Sequence, residues 1–223
     1  VRSNEIGAPV HLTASFGYPT SPRTNGSMSD AYGGGLLDRA VYPISLAVKL
    51  MGPVAHVDAA LIHDVHDVDV EASVQLVHTS GGHSQLAASL STLLSNEAVI
   101  GGPGGSVTLE SPLVGAELIT TRRIKGDPPP RAAGAHAPRL SLKDTLRAIP
   151  HLRRLHRLLA GGRREHRHYG ANQYGPLLEH VVALVGSGKT ESDIVPLDLS
   201  LEVARVTDLA RSAGARVHHE VTR

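Results

Sequence analysis

The chain has no cysteine and no tryptophan, and only 3% of its residues are aromatic. Without cysteine it has neither disulfides nor thiol chemistry, which favours a reducing compartment such as the cytoplasm. So few rings leave the core to aliphatic side chains and provide few stacking platforms for bases. The formal net charge of +1 gives no overall basic footprint, so we expect no nucleic-acid partner. No apolar run approaches the roughly 18 residues of a membrane span, so we expect no membrane partner.

A dinucleotide fingerprint is also missing. The pattern of a strand, G-x-G-x-x-G and a helix, with an acid about 20 residues further on, occurs nowhere in the 223 residues. With 41% hydrophobic residues and a mean hydropathy of −0.07, the chain is typical of a globular protein. Its length suits one sizeable core or two small ones.

Alternation of apolar and polar residues predicts the fold class. Strands are predicted over residues 10–17, 54–63, 72–78, 85–93, 97–100, 106–109 and 117–124, and a last short one over 216–221. Helices are predicted over 36–51, 175–185 and 197–213. Because short turns join most of the strands, we predict an α+β fold, with a largely antiparallel, open-faced sheet and helices packed on one face.

A basic segment interrupts this pattern at residues 139–168. It carries nine Lys and Arg residues against two acids, together with a stripe of Leu and Ile. Three interpretations stay open: a solvated amphipathic helix on the sheet, a surface for an acidic partner or another domain, and a site for anionic lipid or nucleic acid. We predict a basic helical insertion at about 126–170 within a single domain that spans residues 1–223.

The stretch at 33–43, Gly-Gly-Gly-Leu-Leu-Asp-Arg-Ala-Val-Tyr-Pro, carries the candidate chemistry. Three glycines open a tight loop before a helix, and Asp38 and Tyr42 are four residues apart, on one helical face. A carboxylate beside a phenol can position a substrate hydroxyl and move its proton. The alternative is an ordinary helix start, with Asp38 solvated and Tyr42 half-buried.

This stretch resembles the signature of the C-terminal domain of the Gfo/Idh/MocA family, in its glucose–fructose oxidoreductase and dimeric dihydrodiol dehydrogenase branch. The family usually has Gly where this chain has Ala40. The resemblance implies the substrate and oligomerisation half of an NAD(P)-dependent oxidoreductase that acts on sugars, cyclitols or dihydrodiols. It also implies that NAD or NADP is bound mainly by an N-terminal Rossmann domain absent from this chain, so we expect this chain alone to be inactive.

The resemblance implies roles for individual residues. Tyr42 would be the catalytic acid/base, and Asp38 would orient the substrate or that tyrosine. The backbone of Gly33, Gly34 and Gly35 would approach the cofactor. Arg23 and Tyr174 are candidate contacts for a small, sugar-like or polyol substrate. Sheets of this kind pair face to face in the family, which implies a homo-oligomer.

Two further possibilities are weighed against this hypothesis. Residues 63–71 include six His, Asp and Glu side chains, but they lie between two predicted strands, and we expect an ordinary turn with no metal. The chain could also be a non-catalytic, stand-alone oligomerisation or binding module that has lost its cofactor domain.

Overall fold

The computed structural model describes residues 5–20, 33–124, 162–170 and 172–214 in full, and the backbone of 215–218. The elements in chain order are β1 (His11–Gly17), a π-helix (Leu36–Ala40), α1 (Val41–Met51), β2 (Val54–His63), β3 (Asp69–His78), β4 (His83–Ser89), β5 (Ala98–Gly102), β6 (Gly105–Leu109), β7 (Leu118–Arg123), β8 (Arg163–His166), α2 (Gly175–Gly186), α3 (Leu197–Ala213) and β9 (Ala215–His218).

The nine described strands form one sheet in the order β8-β7-β6-β5-β1-β4-β3-β2-β9. Six of its eight neighbouring pairs are antiparallel, and the pairs β1–β4 and β2–β9 are parallel. Most antiparallel pairs join strands that follow each other in the chain, as short turns predict. The largely antiparallel α+β fold is therefore confirmed.

Two helices, α1 and α3, cover one face of this sheet, and among the described residues no helix covers the other. The buried side chains of α1 recur every three or four residues, which is typical of a helix with one face on a core. Buried residues of β1 alternate with partly exposed ones, so one side of the strand meets the helices. The core includes Leu12, Ile44, Leu76, Leu86, Ile100 and Val206. The predicted packing of helices on one face is confirmed.

The helix predicted over 36–51 begins with a π-helix and becomes an α-helix at Val41. Pro43 explains the irregular start, because proline has no N–H and its ring presses on the carbonyl four residues earlier, that of Arg39. A π turn widens the backbone just before this point. Pro43 is fully buried, so the irregular turn lies against the core.

The C-terminal end of the basic segment differs from the prediction. Residues Arg163–His166 form β8, which pairs antiparallel with β7, so the predicted helix is wrong there. The unpaired edge of β7 offers backbone donors and acceptors to a second strand. Arg163 also forms ion pairs with Glu5 and Glu165. The remainder, residues 125–161, lies outside the described residues.

Helix α2 is apolar but lies on the surface. Its twelve described residues include one charged side chain, that of Glu179, and none of them is buried. Where α2 touches the rest of the chain, His180 Nε2 lies 2.8 Å from the Ser192 hydroxyl. Apolar side chains along α2 and the start of α3 are exposed: Leu177, Leu178, Val181, Val182, Val185, Ile194, Val195, Leu197 and Leu201. A helix that is apolar on most sides is typical of a buried position, so this surface is typical of an interface.

Glu202 joins α3 to the first residue of β2. Its carboxylate accepts bonds from Arg205 at 2.7 Å and from the Val54 N–H at 2.8 Å. The Arg205 bonds, aided by the Val54 N–H and opposed by burial, hold the pKa of Glu202 below its usual range. A carboxylate with a lowered folded-state pKa stabilises the protein above its unfolded pKa, and this contribution is lost as the pH falls through the folded value.

We therefore predict that Glu202→Gln lowers the free energy of unfolding by about 1 kcal/mol at pH 7. The deficit should shrink once the pH falls below the unfolded pKa of about 4.3, as protonation removes the wild-type charge. Urea unfolding across this range measures it. Asp208→Asn, which removes an exposed charge from the same helix, is the control. A deficit that is independent of pH would contradict the prediction.

Candidate active site

The glycine turn leads directly into the helix that carries the candidate catalytic residues. Gly34 has a φ of +102°, which strains other residues, and its carbonyl accepts the N–H of Asp38 at 2.9 Å. A Cβ on Gly34 would lie 2.6 Å from Cγ of Asp69, and a Cβ on Gly35 would lie 3.3 Å from the Val70 carbonyl oxygen. Glycine at 34 and 35 therefore lets this turn pack tightly on the start of β3.

Asp69, the first residue of β3, bonds to the start of this helix. Its Oδ2 accepts the N–H of Leu36 at 2.6 Å. Burial raises the pKa of Asp69, while the Leu36 N–H and the electrostatic influence of His63 and Arg211 oppose that rise. Sequence reasoning placed Asp69 in a turn and missed this contact, which joins residues 33 positions apart.

Arg39 connects the two candidate catalytic residues to β1. It is 6% exposed, and its Nε lies 3.0 Å from Asp38 Oδ2, although the two are not aligned for a hydrogen bond. Its Nη2 donates to the Thr20 hydroxyl at 3.0 Å, and its guanidinium carbon lies 3.8 Å from the ring centre of Tyr18. This buried cation therefore holds the carboxylate of Asp38 beside the end of β1.

Tyr42 belongs to the same cluster through Phe16. The two rings meet edge to face with centres 5.1 Å apart, and Phe16 also contacts Tyr18 and Arg39. The ring of Tyr42 remains 46% exposed, and the Asp38 side chain is 35% exposed. Both predicted catalytic residues therefore lie at the surface of one cluster, supported from below. A sequence signal for it existed: three of only six aromatic residues gather here.

We predict that Arg39→Lys lowers the free energy of unfolding by about 1–3 kcal/mol. Lysine keeps the charge but loses the planar stacking on Tyr18 and the fixed donor geometry to Thr20. Urea unfolding at neutral pH measures the change. Arg167→Lys, at a side chain that is largely exposed, is the matched control and should change stability by less than about 0.5 kcal/mol. Equal effects of the two variants would contradict the role of Arg39.

An apolar groove of about 740 Å³ lies beside Tyr42, between α1, α3 and the segment that follows β6. Lys49, also in the groove, donates to the Ile194 carbonyl and so ties α1 to the segment before α3. Aliphatic side chains dominate the lining, among them Leu37, Val41, Leu46, Leu113, Val195 and Leu199. Such a groove presents apolar side chains to one side of the Tyr42 ring.

The predicted substrate contacts are not brought into this cluster. Arg23 lies outside the described residues. Tyr174 precedes α2, its backbone N–H bonds to Asn172 Oδ1 at 2.9 Å, and it is not among the residues that line the groove beside Tyr42. A role for either residue stays a prediction.

The acidic group at 63–71 serves the local fold. Asp64 Oδ1 accepts the N–H groups of His66 and Val68, and Glu71 accepts the hydroxyls of Ser89 and Thr92. No group of three or more His, Asp or Glu side chains among the described residues is arranged to hold a metal ion. In the same part of the chain, no helix has the length and apolar character needed to cross a membrane.

Comparison with known proteins shows what the N-terminal part of the chain is similar to. A model of the GFO/IDH/MocA C-terminal domain matches residues 1–108, which include the glycine turn, Asp38 and Tyr42. Residues 1–108 therefore resemble the C-terminal domain of the Gfo/Idh/MocA family. This finding confirms the resemblance seen in the sequence.

Several proteins that are similar to this chain are enzymes. Mouse trans-1,2-dihydrobenzene-1,2-diol dehydrogenase is 28% identical over 119 residues, which is 52% of this chain and 36% of that protein. A 3-ketoreductase from Actinomadura kijaniata, solved with NADP and TDP-benzene, superposes with a TM-score of 0.67 at 19% identity, over 98% of this chain and 57% of its own. An aldose-aldose oxidoreductase from Caulobacter crescentus, solved with glycerol, superposes with a TM-score of 0.64 at 22% identity. The match covers 95% of this chain and 55% of that protein's chain.

This chain matches only part of each of these proteins. The chain spans about a third of the curated relative and little more than half of the solved chains. At these identities the solved structures support the fold of this chain.

Proposed function

We propose that this chain is the substrate-binding half of an NAD(P)-dependent oxidoreductase that acts on a carbon–oxygen bond of a sugar, polyol, cyclitol or dihydrodiol. The observation that carries the proposal is Tyr42, an exposed phenol on a rigid cluster with the carboxylate of Asp38, within a Gfo/Idh/MocA domain. The relatives named above are a dehydrogenase, a ketoreductase and an aldose oxidoreductase, which supports the same class of reaction.

The described residues offer a place for the nicotinamide ring of the cofactor but none for its pyrophosphate. Tyr42 and the groove beside it are accessible, whereas a side chain at Gly34 or Gly35 would meet β3, so those two glycines already serve the packing of the turn. The chain has no glycine fingerprint for the pyrophosphate. We therefore propose that an N-terminal domain of the complete protein holds NAD or NADP. The exposed apolar surface of α2 and the start of α3 supports a further domain that covers it.

The proposed chemistry divides between cofactor and protein. When bound, the nicotinamide ring supplies or accepts the hydride at the carbon of the carbonyl or alcohol. In reduction, the phenol of Tyr42 donates its proton to the carbonyl oxygen, and in oxidation the phenolate takes the proton from the hydroxyl. Asp38, held beside Arg39, accepts a hydrogen bond from a neighbouring substrate hydroxyl and fixes its orientation. The apolar groove gives the Tyr42 side of the reacting centre an apolar surface, from which a bound substrate would displace water.

The open face of the sheet supports the proposal of a homo-oligomer. Polar side chains such as Gln75 and Gln85 are directly opposite each other on adjacent strands, and both are exposed. We propose that this face pairs with that of a second copy. The molar mass of the complete protein in solution, measured by light scattering, tests this part.

The experiment that tests the proposed reaction uses the complete protein that contains this chain. NADH and NADPH deuterated at the transferable position are offered with a panel of aldoses, keto-sugars, cyclic ketones and diketones. Transfer of deuterium to the carbonyl carbon of a product, detected by mass spectrometry, is the expected result. A folded protein that binds neither coenzyme and transfers no deuterium would contradict the proposal and favour the non-catalytic binding module.

A further inference from the structure

Asp69 lies directly beneath the turn that begins the helix of the candidate site. Its carboxylate accepts the Leu36 N–H at 2.6 Å and packs so closely on Gly34 that a side chain there would collide with it. Leu36 is the first residue of the π-helix, which contains Asp38. Helix α1 follows directly and contains Tyr42. One carboxylate from β3 therefore touches both the turn and the first N–H of the helix.

The bond to Leu36 replaces a missing helix cap. The first N–H groups of a helix have no partner within it and need an acceptor from elsewhere. Gly35, at the cap position, has no side chain that supplies one. The electropositive start of a helix favours a carboxylate, and a bond from N–H to a charged oxygen is among the stronger ones in proteins. Asp69 supplies this acceptor from a different element of the fold.

The sheet fixes the position of Asp69 itself. Asp69 is opposite His63 where β2 and β3 pair, and the carbonyl of the next residue, Val70, accepts the N–H of Leu90 at 2.8 Å. Burial raises the pKa of the Asp69 carboxyl group. The Leu36 N–H, His63 and Arg211 act on it in the opposite direction. The start of the helix is therefore held against a rigid part of the sheet.

We propose that Asp69 is a positioning residue, which sets the place of Asp38 and Tyr42 by holding the start of their helix on β3. The catalytic consequence of this proposal rests on the proposed function. The effect of Asp69 on the position of the helix does not. Asp69 does not touch the proposed reacting atoms. Its effect on the reaction is carried by the backbone of Leu36 and the turn before it.

The test compares Asp69→Ala, Asp69→Asn and a control, Glu71→Ala. Alanine removes the acceptor, and asparagine keeps an oxygen of the same size and place. Glu71 is on the same strand, but its carboxylate accepts serine and threonine hydroxyls and does not contact Leu36. The readouts are the amide resonance of Leu36 and its hydrogen exchange, and the ring resonance of Tyr42 in protein with ¹³C-labelled tyrosine, assigned with Tyr42→Phe. Circular dichroism confirms that each variant is folded.

We expect Asp69→Ala to speed exchange of the Leu36 amide by about 10- to 100-fold, the loss of a bond to a charged acceptor. The Tyr42 ring resonance should move as well. Asp69→Asn should restore most of both, and Glu71→Ala should change neither. If Asp69→Ala does not fold, Asp69→Asn decides through the Leu36 amide. A neutral oxygen accepts a weaker hydrogen bond than a carboxylate, so exchange of this amide should be measurably faster than in the wild type, and wild-type exchange would contradict the proposal. Unchanged Leu36 exchange and Tyr42 resonance in folded Asp69→Ala would overturn the proposal, as would equal changes in Glu71→Ala.

The catalytic consequence is measured separately, on the complete protein. Asp69→Ala should lower kcat at least about tenfold, because the displaced Tyr42 acts on the reacting bond, and should raise KM by less than kcat falls, because the displaced Asp38 also binds the substrate. Asp69→Asn should recover most of kcat. A wild-type protein without hydride transfer would contradict the proposed function. The Leu36 and Tyr42 resonances would still show whether Asp69 positions the helix. An active protein in which Asp69→Ala keeps full kcat would overturn the positioning role.

Discussion

Replacing Tyr42 with phenylalanine should lower turnover of the complete protein by about 10²- to 10⁴-fold, the usual contribution of a positioned acid or base. The variant removes one hydroxyl and keeps the ring. The edge-to-face contact with Phe16 and the place of α1 on the core should therefore persist. Because the ring is 46% exposed, the loss of the hydroxyl leaves no buried polar group without a partner, and stability should change by less than about 0.5 kcal/mol.

The measurement is kcat and KM with the substrate and coenzyme found in the deuterium-transfer assay. Tyr174→Phe is the matched control, since it removes the same hydroxyl from another exposed tyrosine of the chain. If Tyr42 is the acid/base, its variant loses kcat and the Tyr174 variant changes KM at most. Full turnover in Tyr42→Phe would show that another group moves the proton.

Gly34→Ala should cost about 3–5 kcal/mol of the free energy of unfolding and should also displace the candidate site. Two effects add. An alanine at a φ of +102° is strained by about 1–2 kcal/mol, and its methyl group would collide with the Asp69 carboxylate. To relieve the collision, the turn must move off β3, which breaks the bond between Asp69 and Leu36.

Gly81→Ala separates these two effects. Gly81 also has a positive φ, +85°, but a Cβ there would meet no atom within 4 Å. Its variant should lose only the backbone strain, about 1–2 kcal/mol. Chemical denaturation of both variants measures the difference, which reports the collision at Gly34. Equal losses would show that the carboxylate yields to the methyl group without cost.

The sequence predicts the elements best where one pattern dominates. The bounds of α3 agree with the prediction because its apolar residues recur at helical spacing over 17 residues. The start of β3 was predicted three residues too late. Asp69 and Glu71 have the composition of a turn, and they belong to a strand because Leu36 and the hydroxyls of β4 and the following turn bind their carboxylates. These contacts are made between distant parts of the chain, which local pattern does not report.

The candidate site was predicted in part for the same reason. Asp38 and Tyr42 follow from a motif, whereas Arg39 stands between them in the sequence and was assigned no role. Its burial depends on Phe16 of β1 and on Tyr18 and Thr20, which follow that strand. For α2, spacing predicted the helix but not its place on the surface, where none of its described residues is buried. What covers an apolar face depends on neighbours that periodicity does not specify.

The parallel pairing of β1 with β4 joins distant parts of the chain, and we expect it to form late in folding. His11 is opposite His83, so the contact closes a loop of 72 residues that contains the glycine turn, α1, β2 and β3. The β2–β3–β4 and β5–β6–β7 meanders close much shorter loops and should form first. We expect β1 to dock between them late, and Phe16, Tyr18 and Thr20 arrive with it. The cluster around Arg39 is then among the last parts of the domain to assemble. Its formation would indicate that β1 has joined the two meanders into one sheet.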